Sequence, residues 1–101
     1  MAGITTHVLD TALGKPAAGL RITLRRGDAI LFDGKTDDDG RARLVAASEP
    51  GVYALTFDTG SYNPDGFFPS VTIDFRIVNA EQHHHVPLLI SPFGYSTYRG
   101  S

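Results

Sequence analysis

The sequence predicts an all-β domain, and two observations carry that prediction. Turn-forming residues recur about every ten positions along the 101-residue chain. Between the turns, apolar and polar residues alternate, most clearly at positions 20–24, 53–57 and 71–77. A period of two is typical of strands with one face in a core and the other in water. Short strands at this spacing favour a β-sandwich or a barrel.

The length fits one domain, residues 1–101, without room for a second. A chain of this size buries roughly two thirds of the surface that its unfolded form exposes. No long segment has helical periodicity. The best place for a helical turn is 60–68, and Pro64 and Gly66 weaken it. We therefore expect at most one short helix.

The segment 85–90, His-Val-Pro-Leu-Leu-Ile, departs from the alternation. A continuous apolar run predicts a strand covered on both faces. Pro87, however, has no N–H to donate, which favours an edge strand or a bulge. A strand at the edge of one subunit that is covered by another subunit satisfies both observations, so the segment suggests an oligomer.

Composition excludes several classes of protein. The chain has no cysteine, which excludes a disulfide scaffold, a thiol nucleophile and a thiolate zinc site. Its formal net charge is −2 and its longest basic run is Arg25-Arg26, so neither nucleic acid nor an anionic membrane surface is an expected partner. No apolar stretch approaches the roughly 20 residues of a membrane span. The N-terminal sequence lacks export features, so a cytoplasmic protein is expected.

The histidines are concentrated in two places, His7 and 83–85. Alternation along a strand places His83 and His85 on one face and His84 on the other. Imidazole titrates near neutral pH, so paired histidines can transfer protons. Two other interpretations stay open at this point: a histidine that only makes a hydrogen bond, and a His-x-His metal chelate. No zinc-type spacing with a carboxylate accompanies the histidines, and we expect no metal.

Arg41 follows the turn 37–40, at the mouth of an expected hairpin. It is either a clamp for an anionic or carbonyl oxygen or a solvated strand arginine, as expected for Arg43. The sequence contains neither a Gly-x-Ser-x-Gly motif nor a phosphate-binding glycine loop. An enzyme built from these residues would use imidazole and arginine, with water as the nucleophile.

Four motifs occur in a characteristic order. They are Thr-Thr-His-Val-Leu-Asp at 5–10 with Gly-Lys-Pro-Ala at 14–17, Asp-Gly-Arg at 39–41, His-His-His-Val-Pro-Leu-Leu at 83–89, and Gly-Tyr-Ser-Thr-Tyr-Arg-Gly-Ser at 94–101. Together they resemble the transthyretin-like 5-hydroxyisourate hydrolases over essentially the whole chain. The terminal Tyr-Arg-Gly-Ser is the most specific motif, because hormone-carrying transthyretins end differently.

This resemblance implies an eight-stranded transthyretin-like sandwich that assembles as a homotetramer, a dimer of dimers, with sites in the cleft where two dimers meet. It implies hydrolysis of 5-hydroxyisourate, a purine-derived small molecule, to 2-oxo-4-hydroxy-4-carboxy-5-ureidoimidazoline in urate degradation, without a cofactor. The alternative function is a transthyretin-like carrier that binds a small ligand without turning it over.

The resemblance also implies site residues. By motif, His7 and His85 match the two catalytic histidines and Arg41 matches the active-site arginine. The substrate-binding and catalytic residues at the chain end would be Tyr98, Arg99, Gly100 and Ser101. Two departures stand out: His84 replaces the family's usual tyrosine and receives no role, and the segment 60–70 is short, so the family's helix is expected to be reduced or lost.

Overall fold

The computed structural model describes residues 2–101 and shows a two-sheet β-sandwich of nine strands with one short helix in that range. In chain order the elements are β1 (Ile4–Asp10), β2 (Lys15–Pro16), β3 (Arg21–Arg26), β4 (Ala29–Lys35), β5 (Arg41–Val45), β6 (Gly51–Phe57), α1 (Thr59–Tyr62), β7 (Val71–Ile77), β8 (His84–Ser91) and β9 (Gly94–Thr97). The expected all-β sandwich is confirmed. The strand beyond the expected eight is the two-residue β2.

The two sheets have different connectivities. The first sheet has the order β2-β1-β8-β9, with β5 also paired to β1. The second sheet has the order β4-β3-β6-β7 and is antiparallel throughout. In the first sheet β1 and β8 run parallel, with Thr5 opposite His85 and His7 opposite Pro87. This pairing brings the beginning and the end of the chain side by side.

The core lies between the sheets and is filled by the inward-facing residues of both. The alternation predicted for 20–24, 53–57 and 71–77 is confirmed, since apolar side chains such as Leu24, Leu55 and Val71 are buried there. The first sheet contributes its own buried residues: Ile4, Val8, Val86, Leu88 and Ile90. Because the residues at even positions of β1 face this core, its odd positions face outward.

The helix α1 is a single turn, which fits the expected shortening of this segment. The Asp58 carboxylate accepts a hydrogen bond from the Ser61 N–H, 3.2 Å away, as a helix N-cap does. The turn ends at Tyr62, shortly before Pro64, so only the first three positions of the predicted range 60–68 are helical. In the described part of the chain, no helix has the length and apolar character needed to cross a membrane.

The prediction that the segment 85–90 forms an edge strand is wrong. β8 lies inside the first sheet, between β1 and β9, and Pro87 is buried. β9 ends at Thr97, which lies opposite Leu88. The β8–β9 ladder therefore stops one residue before Pro87, which has no backbone N–H to donate. The Thr97 hydroxyl instead donates to the Pro87 carbonyl at 2.8 Å. The continuous apolar run is explained by burial within one chain.

The hairpin expected before Arg41 is also wrong, because the turn 37–40 crosses from one sheet to the other. β4 belongs to the second sheet, whereas β5 pairs with β1 in the first. The Asp37 carboxylate fixes the turn by accepting from the N–H groups of Asp39 and Arg41. Gly40 has φ +72°, and a Cβ there would lie 2.5 Å from the Val8 carbonyl oxygen. The turn 37–40 therefore connects the two sheets and places the beginning of β5 next to β1.

Candidate active site

The predicted site residues collect on the outer face of the first sheet. In the β1–β5 pairing His7 lies directly opposite Arg41, and in the β1–β8 pairing Thr5 lies directly opposite His85. His7 and Thr5 occupy odd positions of β1, which face away from the core. Strand register thus brings together side chains from both ends and from the middle of the chain.

A cleft of about 370 Å³ opens at this face. Its lining combines strand residues with the end of the chain: Thr5, Thr6, Asp37, Arg41, Ala42, Arg43, His83, His85 and Ser101. Three predicted site residues, Arg41, His85 and Ser101, therefore share one cavity. His7 is not among its lining residues and lies beside it, opposite Arg41.

The His85 ring is held from two sides. Its Nδ1 lies 2.8 Å from the Thr5 hydroxyl. On its other edge the ring packs against Gly100, where a Cβ would lie 2.5 Å from the ring Cδ2. The Gly100 N–H also donates to the His85 carbonyl at 2.8 Å. Within residues 2–101, the ring nitrogen Nε2 has no hydrogen-bond partner, so it is available for chemistry.

The environment of His85 favours the neutral imidazole. Partial burial, followed by the positive charges of Arg41, His7 and His83, lowers the pKa of His85 below its ordinary value of 6.5. Burial penalises the charged ring, and cationic neighbours repel a further positive charge. At neutral pH His85 therefore carries a lone pair on one nitrogen, as a general base requires.

His7 is oriented by the turn that precedes Arg41. Its Nε2 lies 2.9 Å from the Asp39 carbonyl oxygen. A carbonyl oxygen can only accept a hydrogen bond, so Nε2 carries the proton and donates. In the neutral ring the lone pair is then on Nδ1. His7 thus resembles His85 in having one nitrogen held and the other free.

The Arg41 side chain is exposed and uncommitted. In the described chain its guanidinium forms neither a hydrogen bond nor an ion pair, whereas Arg21 and Arg26 are paired with Asp33 and Glu49. Guanidinium carries five N–H donors in a planar fork that suits carbonyl or carboxylate oxygens. Arg41 is therefore ready to bind an oxygen-rich ligand in the cleft.

The four terminal residues separate into two pairs. Gly100 forms the backbone bridge to His85, and Ser101 lines the cleft. Tyr98 is 58% exposed and lies outside the lining, and the Arg99 guanidinium reaches the Gln82 side chain at 3.3 Å. A single chain thus brings Gly100 and Ser101 to the cleft but not Tyr98 or Arg99.

Sequence reasoning missed two polar residues of the site, Thr5 and His83. Both line the cleft, and the Thr5 hydroxyl lies 2.8 Å from His83 Nε2 as well as from His85 Nδ1. The period of two that grouped His83 with His85 also groups Thr5 with His7. His84 is buried on the opposite face, and its Nδ1 lies 2.9 Å from the Gln82 carbonyl oxygen. The predicted alternation of the three histidines is confirmed.

Possible metal ligands are not grouped in this region. Within residues 2–101, no three or more His, Cys, Asp or Glu side chains are arranged to hold an ion.

A second cavity, of about 480 Å³, lies at the other end of β1. Its polar centre is the buried Asp10 carboxylate, which accepts from the N–H groups of Ala12 and Leu13 at 3.0 and 3.1 Å and from the Tyr62 hydroxyl at 2.8 Å. Burial and the bond to Asp10 raise the pKa of Tyr62 to about 12, so this phenol stays a donor. The other lining residues are mostly small or apolar: Thr59, Asn63, Gly66, Phe68, Val71, Ile90, Ser91, Pro92, Gly94 and Tyr95.

The chain matches a known family in sequence and in fold. Residues 4–100 match the model of the HIUase/Transthyretin family, so the chain belongs to that family. The fold is shared across its branches. It matches a 5-hydroxyisourate hydrolase structure from Klebsiella pneumoniae with a TM-score of 0.92 at 39% identity over all of both chains. It also matches a sea bream transthyretin in complex with thyroxine with a TM-score of 0.89 at 25% identity, over 98% of this chain and 95% of the other.

Within the family, the chain is an enzyme, because the curated relatives that it matches at high identity are hydrolases. A 5-hydroxyisourate hydrolase from Caulobacter vibrioides is 48% identical over 115 residues, which covers both chains completely. One from Mesorhizobium japonicum is 50% identical over 114 residues, covering 97% of this chain and 91% of the relative.

Proposed function

We propose that this protein hydrolyses 5-hydroxyisourate to 2-oxo-4-hydroxy-4-carboxy-5-ureidoimidazoline. The observation that carries the proposal is the outer-face cleft, where His85, Arg41 and Ser101 meet beside His7. Each histidine has one nitrogen held and the other free, and the guanidinium is unpaired. These groups suit a small ring rich in carbonyl oxygens, the class of substrate on which the matched relatives act.

Hydrolysis of a ring amide needs three functions: removal of a proton from the attacking water, stabilisation of the oxyanion, and donation of a proton to the departing nitrogen. In the proposal, His7 and His85 share the two proton transfers. Arg41 binds the substrate oxygens and stabilises the oxyanion. Ser101 orients the substrate ring within the cleft, and Gly100 keeps His85 in place.

The proposal includes assembly as a homotetramer with the site between dimers. Its support is the edge strand β9, whose outer side has no partner strand within residues 2–101. Exposed aromatic side chains surround it: Phe93, Tyr95 and Tyr98 are 81%, 41% and 58% exposed. Unpaired strand edges and exposed apolar groups favour association. In a cleft formed by two subunits, Tyr98 and Arg99 would lie at the interface and contact the substrate there. If the protein sediments as a monomer at the assay concentration and is fully active, the proposed tetramer is wrong.

The test of the activity is the ultraviolet absorbance of freshly made 5-hydroxyisourate. The protein at catalytic concentration should accelerate the decay of that absorbance well beyond the spontaneous rate. A transthyretin-like carrier, the alternative function, would bind the compound without accelerating its decay. The variant Arg41→Gln is the matched comparison, since it keeps a polar hydrogen-bonding side chain and removes the charge; acceleration should fall strongly.

The proposal assigns neither metal nor cofactor, and it places the enzyme in the cytoplasm. Dialysis against a chelator should leave the rate unchanged. A loss of activity that one divalent metal restores would mean that the metal activates water, and would overturn the roles given to the histidines. Fractionation of cells that produce the protein, followed by the same assay, tests the compartment.

A further inference from the structure

The Thr5 hydroxyl lies between two imidazoles. Its Oγ1 is 2.8 Å from His85 Nδ1 and 2.8 Å from His83 Nε2. Thr5 is half-buried on β1, directly opposite His85 in the parallel ladder, and His83 is exposed just before β8 begins. The position of the Thr5 hydroxyl is therefore determined by strand register. The hydroxyl in turn orients the imidazole rings of His83 and His85.

The Thr5 hydroxyl has a single proton, so it can donate to only one of the two imidazoles at a time. A hydroxyl has one proton to donate and can accept through its oxygen. Within residues 2–101, the two ring nitrogens are the only acceptors for the Thr5 proton. When Thr5 donates to one ring, the bond to the other ring forms only if that nitrogen carries a proton. The tautomers of His85 and His83 are therefore linked through Thr5.

The surroundings of His85 select one of the two arrangements. Burial and the positive charges of Arg41, His7 and His83 disfavour the protonated ring, so the neutral His85 carries a single ring proton. The Thr5 hydroxyl contacts Nδ1, and Nε2 has no hydrogen-bond partner within residues 2–101, so a proton on Nδ1 is hydrogen-bonded whereas a proton on Nε2 is not. With the proton on Nδ1, His85 donates to Thr5 and Thr5 donates to His83 Nε2. His83 is exposed, so its own proton, on Nδ1, can be solvated by water.

We propose that Thr5 and His83 are positioning residues that hold His85 in the tautomer protonated on Nδ1, with its Nε2 lone pair directed to the cleft. This inference rests on the proposed function in one respect, since the free Nε2 serves as the base there. A second feature supports it: Gly100 packs against the ring Cδ2, next to Nε2, which keeps the ring from rotating away. The orientation of His85 is thus fixed on both edges.

The test compares Thr5→Val, which keeps the shape and removes the hydroxyl, with Thr5→Ser, which keeps the hydroxyl. Thr72→Val, on the second sheet and exposed, is the control for loss of a strand hydroxyl. Thr5→Val should lower kcat about 10- to 100-fold with little change in KM, as loss of a group that orients a functional histidine does. Thr5→Ser should recover most of that loss.

A second pair of variants acts on the other ring. His83→Gln keeps a side-chain acceptor for the Thr5 proton, whereas His83→Leu removes it. We expect His83→Leu to lower kcat in the same direction as Thr5→Val and His83→Gln to do so less. Equal effects of the two would overturn the role of His83.

The direct measurement is the tautomer of His85, by two-dimensional NMR that correlates ring protons with ring nitrogens. The Nδ1–H form should dominate in the wild type and in Thr5→Ser, and a mixture should appear in Thr5→Val. An unchanged tautomer with unchanged kcat would overturn the inference. If the wild type fails to hydrolyse 5-hydroxyisourate while the tautomer still depends on Thr5, the proposed function fails and the positioning role stands.

Discussion

β1 carries a polar cluster near each end, and the two clusters differ in how far their hydrogen-bonding capacity is used. At the Asp10 end, both carboxylate oxygens are occupied by Ala12, Leu13 and Tyr62, and the carboxylate is buried. At the His7 end, the side chains are half-buried or exposed, and His85 and Arg41 keep unpaired donors or lone pairs. A polar cluster with all its bonds made stabilises a fold, whereas one with free atoms can bind and react.

The volumes of the two cavities do not indicate which one contains the reactive side chains. The cavity beside Asp10 is the larger, about 480 Å³ against about 370 Å³ for the outer-face cleft. Its buried Asp10 carboxylate nevertheless has both oxygens hydrogen-bonded, one of them by the Tyr62 hydroxyl. The smaller cleft contains the imidazole and guanidinium groups that keep unused lone pairs or donors.

The largest expected effect is on catalysis at the His7 end. His85→Ala and His7→Ala should each lower kcat by about 10²- to 10⁴-fold, the usual contribution of general acid–base catalysis. Both side chains lie on the outer face, so the melting temperature should change little. Near-normal turnover in both variants, measured by ultraviolet absorbance, would break the distinction between the two clusters.

At the Asp10 end the expected effect is on stability. Asp10→Ala leaves two backbone N–H groups and the Tyr62 hydroxyl without their acceptor, which should lower the free energy of unfolding by about 2–4 kcal/mol. Asp38→Ala, at an exposed turn position, is the control and should change it by less than about 0.5 kcal/mol. Denaturant titration measures both. The folded fraction of Asp10→Ala should keep its kcat.

A third variant sharpens the comparison at the chain end. In Gly100→Ala the new Cβ would meet His85 Cδ2 at 2.5 Å, so the ring or the bridge must shift. We expect kcat to fall about 10-fold, equivalent to about 1.4 kcal/mol in the barrier. Gly94→Ala in β9 is the matched control, because the nearest atom to its Cβ is Ser91 Oγ at 3.6 Å. Equal rates for the two variants would show that Gly100 does not position His85.

The smallest expected effect is a shift in pH dependence. Protonation of His85 removes its lone pair, so kcat/KM should fall as the pH drops through its pKa, which lies below the ordinary value. Arg41→Gln removes a positive charge that disfavours the protonated ring, and the pKa should rise. The acid limb should therefore move to higher pH, whereas Arg76→Gln on the other sheet should leave it in place. A limb that stays fixed in Arg41→Gln would show that the Arg41 charge does not act on His85.

The sequence predicts the strands best where one face is buried. The alternation of β3, β6 and β7 is clear because those strands separate core from solvent. β4 gives no such pattern, since it is a mostly exposed edge strand with a register shift opposite Leu24 and Arg25. The apolar run of β8 does not distinguish a strand buried inside a sheet from an edge strand covered by a neighbouring subunit, because the two have the same composition.

The site was only partly predictable. Motif resemblance predicts His7, Arg41, His85 and the chain end as site residues, and the structure places Arg41, His85 and Ser101 around the cleft with Gly100 bridged to His85. The contacts of Thr5 with His83 and His85 could not be predicted from spacing, because these partners are 78 and 80 residues away. Only the parallel pairing of β1 with β8 makes them neighbours.

That parallel pairing also has a consequence for folding kinetics. Thr5 and His85 are separated by 80 residues, so nearly the whole chain must form a closed loop before the cleft exists. Closing long loops carries an entropic cost, and folds dominated by distant contacts fold slowly, in milliseconds to seconds. β8 becomes an interior strand only when β1 and β9 flank it. Recovery of enzymatic activity after dilution from denaturant should therefore coincide with the slowest spectroscopic phase of refolding.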